Sequence, residues 1–272
     1  VDEIKVEDLI PDTDMAITIS HAGYIKRTSV DIYRHQSRGG KGRIGAKTRE
    51  EDFVEHLFVA STHDYILCFT QDGRCFWLKV HEIPQAGRAA KGKPIVNLIN
   101  VTPDTQIKAM VPVKKFTDDE FLLFCTRNGT IKKTALSEYS NVRSTGVKGI
   151  KIEDGDELIS VSETDGSKDL VIGTRNGMAI RFAEEDARPM GRTAFGVRGI
   201  QLRDGDLVVA MEVVTEEQTL LTVCENGYGK RTDVSEYRRQ TRGGIGLKNV
   251  QTTNRNGPVV GISCVNDRHE LL

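Results

Sequence analysis

The sequence predicts an all-β fold in which short-stranded blades stack around an axis, and three observations predict it. Turn pairs ending in glycine recur at Ala22-Gly23, Asp72-Gly73, Asn128-Gly129, Asn176-Gly177 and Asn226-Gly227, and their glycines are 50, 56, 48 and 50 residues apart. The flanks read as apolar strand, turn, strand, as in "DYILCFTQDGRCFWLKV", "FLLFCTRNGTIKKTAL" and "TLLTVCENGYGKRTDV". Glycine is abundant at 26 and proline scarce at 7, a balance that suits many strands joined by tight turns. A period near 50 with about four strands per repeat is the signature of blades that must stack to bury both faces. Helical periodicity is weak throughout, apart from a possible short turn near Glu50 to His56.

Taken in order, the repeats cover residues 12–60, 61–113, 119–163, 167–214 and 217–265 of a single domain, 1–272. The last stretch, 266–272, is expected to begin a further blade. Asn-Gly and Asp-Gly predict two-residue hairpins with positive φ at both turn residues. Tyr33, Tyr139 and Tyr237 each follow a turn glycine by ten residues and are expected to pack inside. A second glycine follows by 19 or 20 residues at Gly42, Gly92, Gly149 and Gly246, and by 22 at Gly199. Asp154-Gly155 and Asp204-Gly205, 50 apart, read as one turn in consecutive repeats.

Composition excludes several classes of function. Hydrophobic residues at 38% and charged residues at 28% suit a folded chain with a core. No apolar run approaches the roughly 20 residues of a membrane span, and no basic segment precedes an apolar one at the start. The acidic opening at Val1 is expected of a domain cut from a longer protein. Cys68, Cys75, Cys125, Cys224 and Cys264 are odd in number and form no CxxC pair, which predicts reduced thiols and a cytoplasmic protein. The six histidines form no ligand spacing, "EDGDEL" at Glu153 is matched by the repeat turn "RDGDLV", and no nucleophile elbow occurs. No metal, cofactor or catalytic residue is expected.

Charge is sorted, although Lys plus Arg at 38 nearly balances Asp plus Glu at 39. Between His21 and Arg49 there are eight basic residues and one acid, and between Asn226 and Lys248 six basic residues and two acids. Lys26 and Arg27, Lys132 and Lys133, and Lys230 and Arg231 sit three and four residues after their turn glycines; Arg181 matches the second place, and Lys79 is displaced. Equal positions in successive blades lie at equal positions around a ring, so these residues predict a basic rim. A polyanion that bends suits such a rim, and double-stranded DNA is the natural candidate, held by phosphate neutralisation. Aromatic residues, at 6%, do not interleave with the basic positions, which disfavours a platform for stacked single strands.

The sharpest local feature is "HQSRGGKGRIG", His35 to Gly45, where glycines permit close approach of backbone N–H groups to a phosphate. Its GxGxxG match lacks the helix a dinucleotide site needs. Arg43 and Lys47 extend its charge. Weaker copies follow in phase: "QAGRAAKG" with Arg88 and Lys91, "VRSTGVKG" with Arg143 and Lys148, "GRTAFGVRG" with Arg192 and Arg198, and "QTRGGIG" with Arg242 after Arg239.

These residues resemble the C-terminal domain of the bacterial gyrase A protein, a part of DNA gyrase. That family's marker is a seven-residue box, QRRGGKG, and Gln36-Ser37-Arg38-Gly39-Gly40-Lys41-Gly42 matches six of its seven positions, with Ser37 in place of an arginine. The resemblance covers essentially the whole chain. It implies a β-pinwheel, a propeller-like disk of five to six four-stranded blades that exchange strands, with DNA wrapped around the rim in a right-handed sense. It implies a domain without catalysis of its own, serving negative supercoiling by an ATP-dependent type II topoisomerase in the bacterial cytoplasm. ATP and Mg would belong to the remainder of gyrase A and to gyrase B, its partners in a heterotetramer. The family usually has six blades, against five hairpins here. Two alternatives remain open: the matching domain of topoisomerase IV, where the box is typically degraded, and a propeller scaffold that binds protein.

Overall fold

The computed structural model describes residues 6–32, 52–141 and 143–267. With strands numbered along the chain, the first sheet holds β1 (Asp14–Ser20), β2 (Tyr24–Ser29), β3 (Val54–Ser61) and β6 (Lys93–Pro94), in the order β3-β1-β2-β6. The second holds β4 (Tyr65–Thr70), β5 (Arg74–Lys79), β7 (Ile107–Val113) and β10 (Val147–Lys148), in the order β10-β5-β4-β7. The third, β11-β8-β9-β14, uses β8 (Phe121–Thr126), β9 (Thr130–Ala135), β11 (Leu158–Thr164) and β14 (Val197–Arg198). The fourth, β15-β12-β13-β18, uses β12 (Asp169–Thr174), β13 (Met178–Ala183), β15 (Val208–Val214) and β18 (Leu247–Lys248). The last has three strands among the described residues, β17 (Gly229–Asp233), β16 (Thr219–Cys224) and β19 (Val259–Val265).

Each repeat thus builds a hairpin and returns a third strand along it, and the second to fifth repeats each send a two-residue strand back to the hairpin of the repeat before. β14 pairs with β9 through Val197 opposite Ile131, and β18 pairs with β13 through Leu247 opposite Ala179. This is the strand exchange that the resemblance implies.

The hairpin turns differ from the two-residue type. No described non-glycine residue has positive φ, whereas Gly23, Gly73, Gly129, Gly177 and Gly227 all do. Only one left-handed residue is needed, because each loop is a tight turn closed by glycine; the Gly129 N–H donates to the Thr126 carbonyl at 3.0 Å. The third strand then needs an anchor, and aspartate supplies it. Asp156 Oδ1 accepts the Asn128 N–H at 3.0 Å, and Asp206 Oδ1 accepts the Asn176 N–H at 2.9 Å. The acidic Asp-Gly turns are therefore fold elements.

The glycine register also differs from the expected one. Gly92, Gly146, Gly196 and Gly246 are the equivalent residues, each with positive φ and each immediately before its exchanged strand. A Cβ on Gly196 would overlap the Ile131 carbonyl oxygen, and one on Gly246 that of Ala179. Gly149 and Gly199 occupy another place, donating N–H to the carbonyls of Gly73 at 2.7 Å and Gly129 at 2.8 Å, where the fifth repeat has Asn249 on Gly177 at 2.7 Å. The spacing of 22 to Gly199 compares non-equivalent residues; from Gly177 to Gly196 it is the same 19 as from Gly227 to Gly246.

Residues 54–56, where a short helical turn is possible by sequence, open strand β3 instead, because Val54–Ser61 pairs along β1. Tyr139 and Tyr237 are buried, and their hydroxyls donate to the Gly149 carbonyl at 2.8 Å and Asn249 Oδ1 at 2.7 Å; Tyr33 lies outside the described residues. Cys68, Cys75, Cys125 and Cys224 are buried free thiols, and Cys264 is half-buried.

The chain groups into two compact units. One comprises Val1–Thr70, Cys75–Lys115 and Val142–Val147, and its core includes Ile17, Ile25, Ile66 and Phe76. The other comprises Gln71–Arg74, Phe116–Asn141 and Lys148–Leu272, with cores around Leu123, Ile172 and Phe182 and around Val171, Leu220 and Tyr237. No described helix is long and apolar enough to cross a membrane.

The packing makes two stability measurements decisive. Gly196→Ala combines positive φ with a blocked Cβ and is expected to cost about 2 kcal/mol or more, whereas Gly191→Ala, with nothing within 4 Å of its Cβ, should stay within about 0.5 kcal/mol. Urea denaturation distinguishes them. Glu212, on β15, has its carboxyl pushed up to about 7 by burial, from an ordinary 4.5. Its folded value lies above its unfolded one, so the associated stability is present below about 4.5 and is lost as pH rises through about 7. Glu212→Gln should therefore raise Tm more at about pH 8 than at about pH 5.

Candidate nucleic-acid interface

The second hairpin strands carry the in-phase cations, and adjacent positions face opposite sides of the sheet. Lys26 and Lys132 point inward. They are 1% and 0% exposed, which corrects their assignment to a solvent-facing rim. Burial of an ammonium demands partners, and backbone carbonyls provide them. Lys26 Nζ donates to the carbonyls of Arg88 at 2.9 Å, Ala90 at 3.0 Å and Gly87 at 3.2 Å. Lys132 Nζ donates to those of Gly149 at 2.6 Å, Arg192 at 2.8 Å and Gly191 at 3.3 Å. Each lysine thus grips the glycine-basic loop of the next repeat. Burial and the nearby Arg192 push the Lys132 ammonium down to about 7, while its carbonyl acceptors favour the protonated donor. Phe76 and Ile180 hold the same position in the second and fourth repeats and fill it by apolar packing, Phe76 against Gly146.

The neighbouring position is also largely internal. Lys133 is buried with Nζ over the Phe121 ring at 4.5 Å, and Arg181 is buried against Asp169 Oδ2 at 2.8 Å and the carbonyls of Val234 and Tyr237. These too are corrections to the expected rim. Arg27 is half-buried and donates Nε–H to the Ile83 carbonyl at 2.7 Å; burial lowers its pKa. Arg231 is exposed but pairs with Asp267 at 2.7 Å and Thr219. Lys230 is half-buried. Lys79 is half-buried in an ion pair with Glu7. Arg239 is exposed and bound to Asp169, which raises its pKa.

The loop arginines act as staples. Arg192 Nη1 donates to the Lys148 carbonyl at 3.1 Å, and Arg242 Nη1 to the Arg198 carbonyl at 2.6 Å. Donor and acceptor both advance by 50 residues, so the same contact is made twice. Arg242 Nε–H also donates to the Asp186 carbonyl at 3.2 Å. Arg88 is half-buried, and Lys91 and Arg143 are exposed.

The cation that recurs in phase and stays open to a polyanion is at the second residue of three of the four exchanged strands, where β6 has Pro94. Lys148 on β10, Arg198 on β14 and Lys248 on β18 are all exposed and are 50 residues apart. Lys248 is not among the expected rim residues; its spacing of 50 from Arg198 is the signal that finds it. Lys151, exposed with Nζ over the Phe195 ring at 4.5 Å, is a further addition. The box from Gln36 to Gly42, with Ser37, Arg38, Gly39, Gly40 and Lys41, lies outside the described residues, as do Arg43 and Lys47. No group of three or more possible metal-ligating side chains occurs among the described residues.

Comparison with known proteins agrees with this repeat architecture. A family model described as DNA gyrase C-terminal domain, beta-propeller, matches residues 14–61, 64–104, 120–165, 168–215 and 218–266. The gyrase A protein of Clostridium acetobutylicum is 48% identical over 192 residues, which is 71% of this chain and 23% of that protein. The gyrase A protein of Salmonella typhimurium is 45% identical over 71% of this chain and 22% of its own length. The chain therefore spans under a quarter of these relatives. A solved DNA gyrase A C-terminal domain superposes with a TM-score of 0.78 at 28% identity, covering 93% of this chain and 83% of that one. The C-terminal domain of a DNA topoisomerase IV superposes with a TM-score of 0.76 at 28% identity, covering 95% and 79%. With five consecutive repeats matched in register, the chain belongs to the DNA gyrase C-terminal domain family of beta-propellers.

Proposed function

We propose that this chain binds double-stranded DNA without sequence preference and wraps it in a right-handed sense, so that a parent type II topoisomerase can introduce negative supercoils. The observation that carries the reading is the exposed cation repeated at Lys148, Arg198 and Lys248 on exchanged strands of the same kind. Arg143 and Lys151 add charge on either side of β10, and Lys91 on the loop before β6. The box at Gln36 to Gly42 would pin the duplex through backbone N–H groups and Lys41. Bending a 20–30 bp site by 40–90° costs roughly 1–6 kcal/mol, so several loops must act together. The domain performs no chemistry itself. The remainder of a gyrase A protein, together with gyrase B, would supply strand cleavage and ATP use, inside a bacterial cell.

Two measurements test this. If about 6–10 phosphates are neutralised, affinity falls on the order of 10³–10⁵ between 50 and 200 mM salt; a slope near zero contradicts DNA binding. In ligation of nicked circular plasmid with rising amounts of the chain, the linking number should shift positively. Replacing Gly39, Gly40, Lys41 and Gly42 with alanine should abolish that shift while leaving much of the affinity. Binding without any shift in the unaltered chain would overturn wrapping and favour the topoisomerase IV-like alternative.

A further inference from the structure

The residue immediately before each loop's closing glycine changes character along the chain: Lys41, Lys91, Thr145, Phe195 and Ile245. The last two are large apolar side chains left exposed, Phe195 at 37% and Ile245 at 44%. They are 50 residues apart and held in the same way. The Lys151 N–H donates to the Ala194 carbonyl at 3.1 Å and the Gln201 N–H to the Gly244 carbonyl at 2.9 Å, fixing the residue before each tip. Gly196 and Gly246, which follow, are pressed against the carbonyls of Ile131 and Ala179. The tips are therefore rigidly presented. Exposed cations flank them: Arg198 and Lys248 lie three residues on, and Lys151 Nζ sits over the Phe195 ring. An open pocket of about 500 Å³ is lined by Phe195, Lys151 and Arg198.

An apolar tip beside a cation complements the minor groove, whose walls are sugars edged by phosphates. Apolar side chains beside basic ones are a recognised means of minor-groove contact. We propose that Phe195 and Ile245 press against the deoxyribose faces of a duplex lying on Arg198 and Lys248, adding a salt-independent component to binding. This rests on the DNA-binding reading above.

The test is affinity of the 272-residue chain for a linear duplex, measured by fluorescence anisotropy across a salt series. Ile245→Ser and Phe195→Ser should each weaken binding roughly three- to tenfold at every salt concentration, leaving the slope of log K against log salt unchanged. Ile245→Lys should restore the chemistry of Lys91 and steepen the slope by about one unit. If Phe195→Ser lowers Tm, the more exposed Ile245→Ser decides. A steep slope in the unaltered chain with serine variants that bind equally well overturns the tip contact alone. An unaltered chain without salt-dependent binding overturns the DNA reading and this proposal together.

Discussion

The rest of the structure depends on the seating of the glycine-basic loops of the second to fifth repeats, each on the hairpin of the repeat before it. A two-residue strand is too short to hold itself by ladder hydrogen bonds, so the loop must be fixed at both ends. A positive-φ glycine brings its backbone against a strand carbonyl, as Gly196 does at Ile131 and Gly246 at Ala179. Beneath the loop, a side chain from the hairpin fills the space. Where that side chain is lysine, the loop turns its carbonyls inward onto an ammonium, and where it is Phe76 or Ile180 it closes by apolar contact. Buried polar groups are tolerated only when satisfied, and Lys26 and Lys132 meet that condition with three carbonyls each.

This seating sorts the basic residues into two populations. Lys26, Lys132 and Arg181 are internal and hold the fold, whereas Lys148, Arg198 and Lys248 stand outside on exchanged strands. Arg192 and Arg242 connect the populations, since each guanidinium fixes the backbone of the exposed cation one repeat earlier. Spacing between surface charges is thereby set by internal contacts, and a wrapped polyanion requires such fixed spacing.

Much of the fold is legible in the sequence because its information is periodic. Five turn glycines and alternating strands give the blades, and the run from Gln36 to Gly42 points to the family. Charge placement is less legible, for a physical reason. Recurrence in phase reports only that a position matters in every repeat, and a buried ammonium caged by carbonyls recurs as faithfully as an exposed one. Lys132 and Lys148 are both strand lysines, yet the first is fully buried in a hairpin and the second is exposed on an exchanged strand. Lys248 is hidden by a glycine register that runs through Gly149 and Gly199, whose place in the fifth repeat is taken by Asn249.

The central claim is that exposed and buried cations do different work, and the salt dependence of DNA affinity tests it most directly. A variant combining Lys148→Gln, Arg198→Gln and Lys248→Gln should make the slope of log K against log salt shallower by about three units. Lys132→Met, which substitutes an apolar side chain of the kind Ile180 already supplies at the matching position, should leave that slope unchanged. A loss of slope with Lys132→Met equal to that of the triple variant, or no loss in the triple variant, would contradict the account.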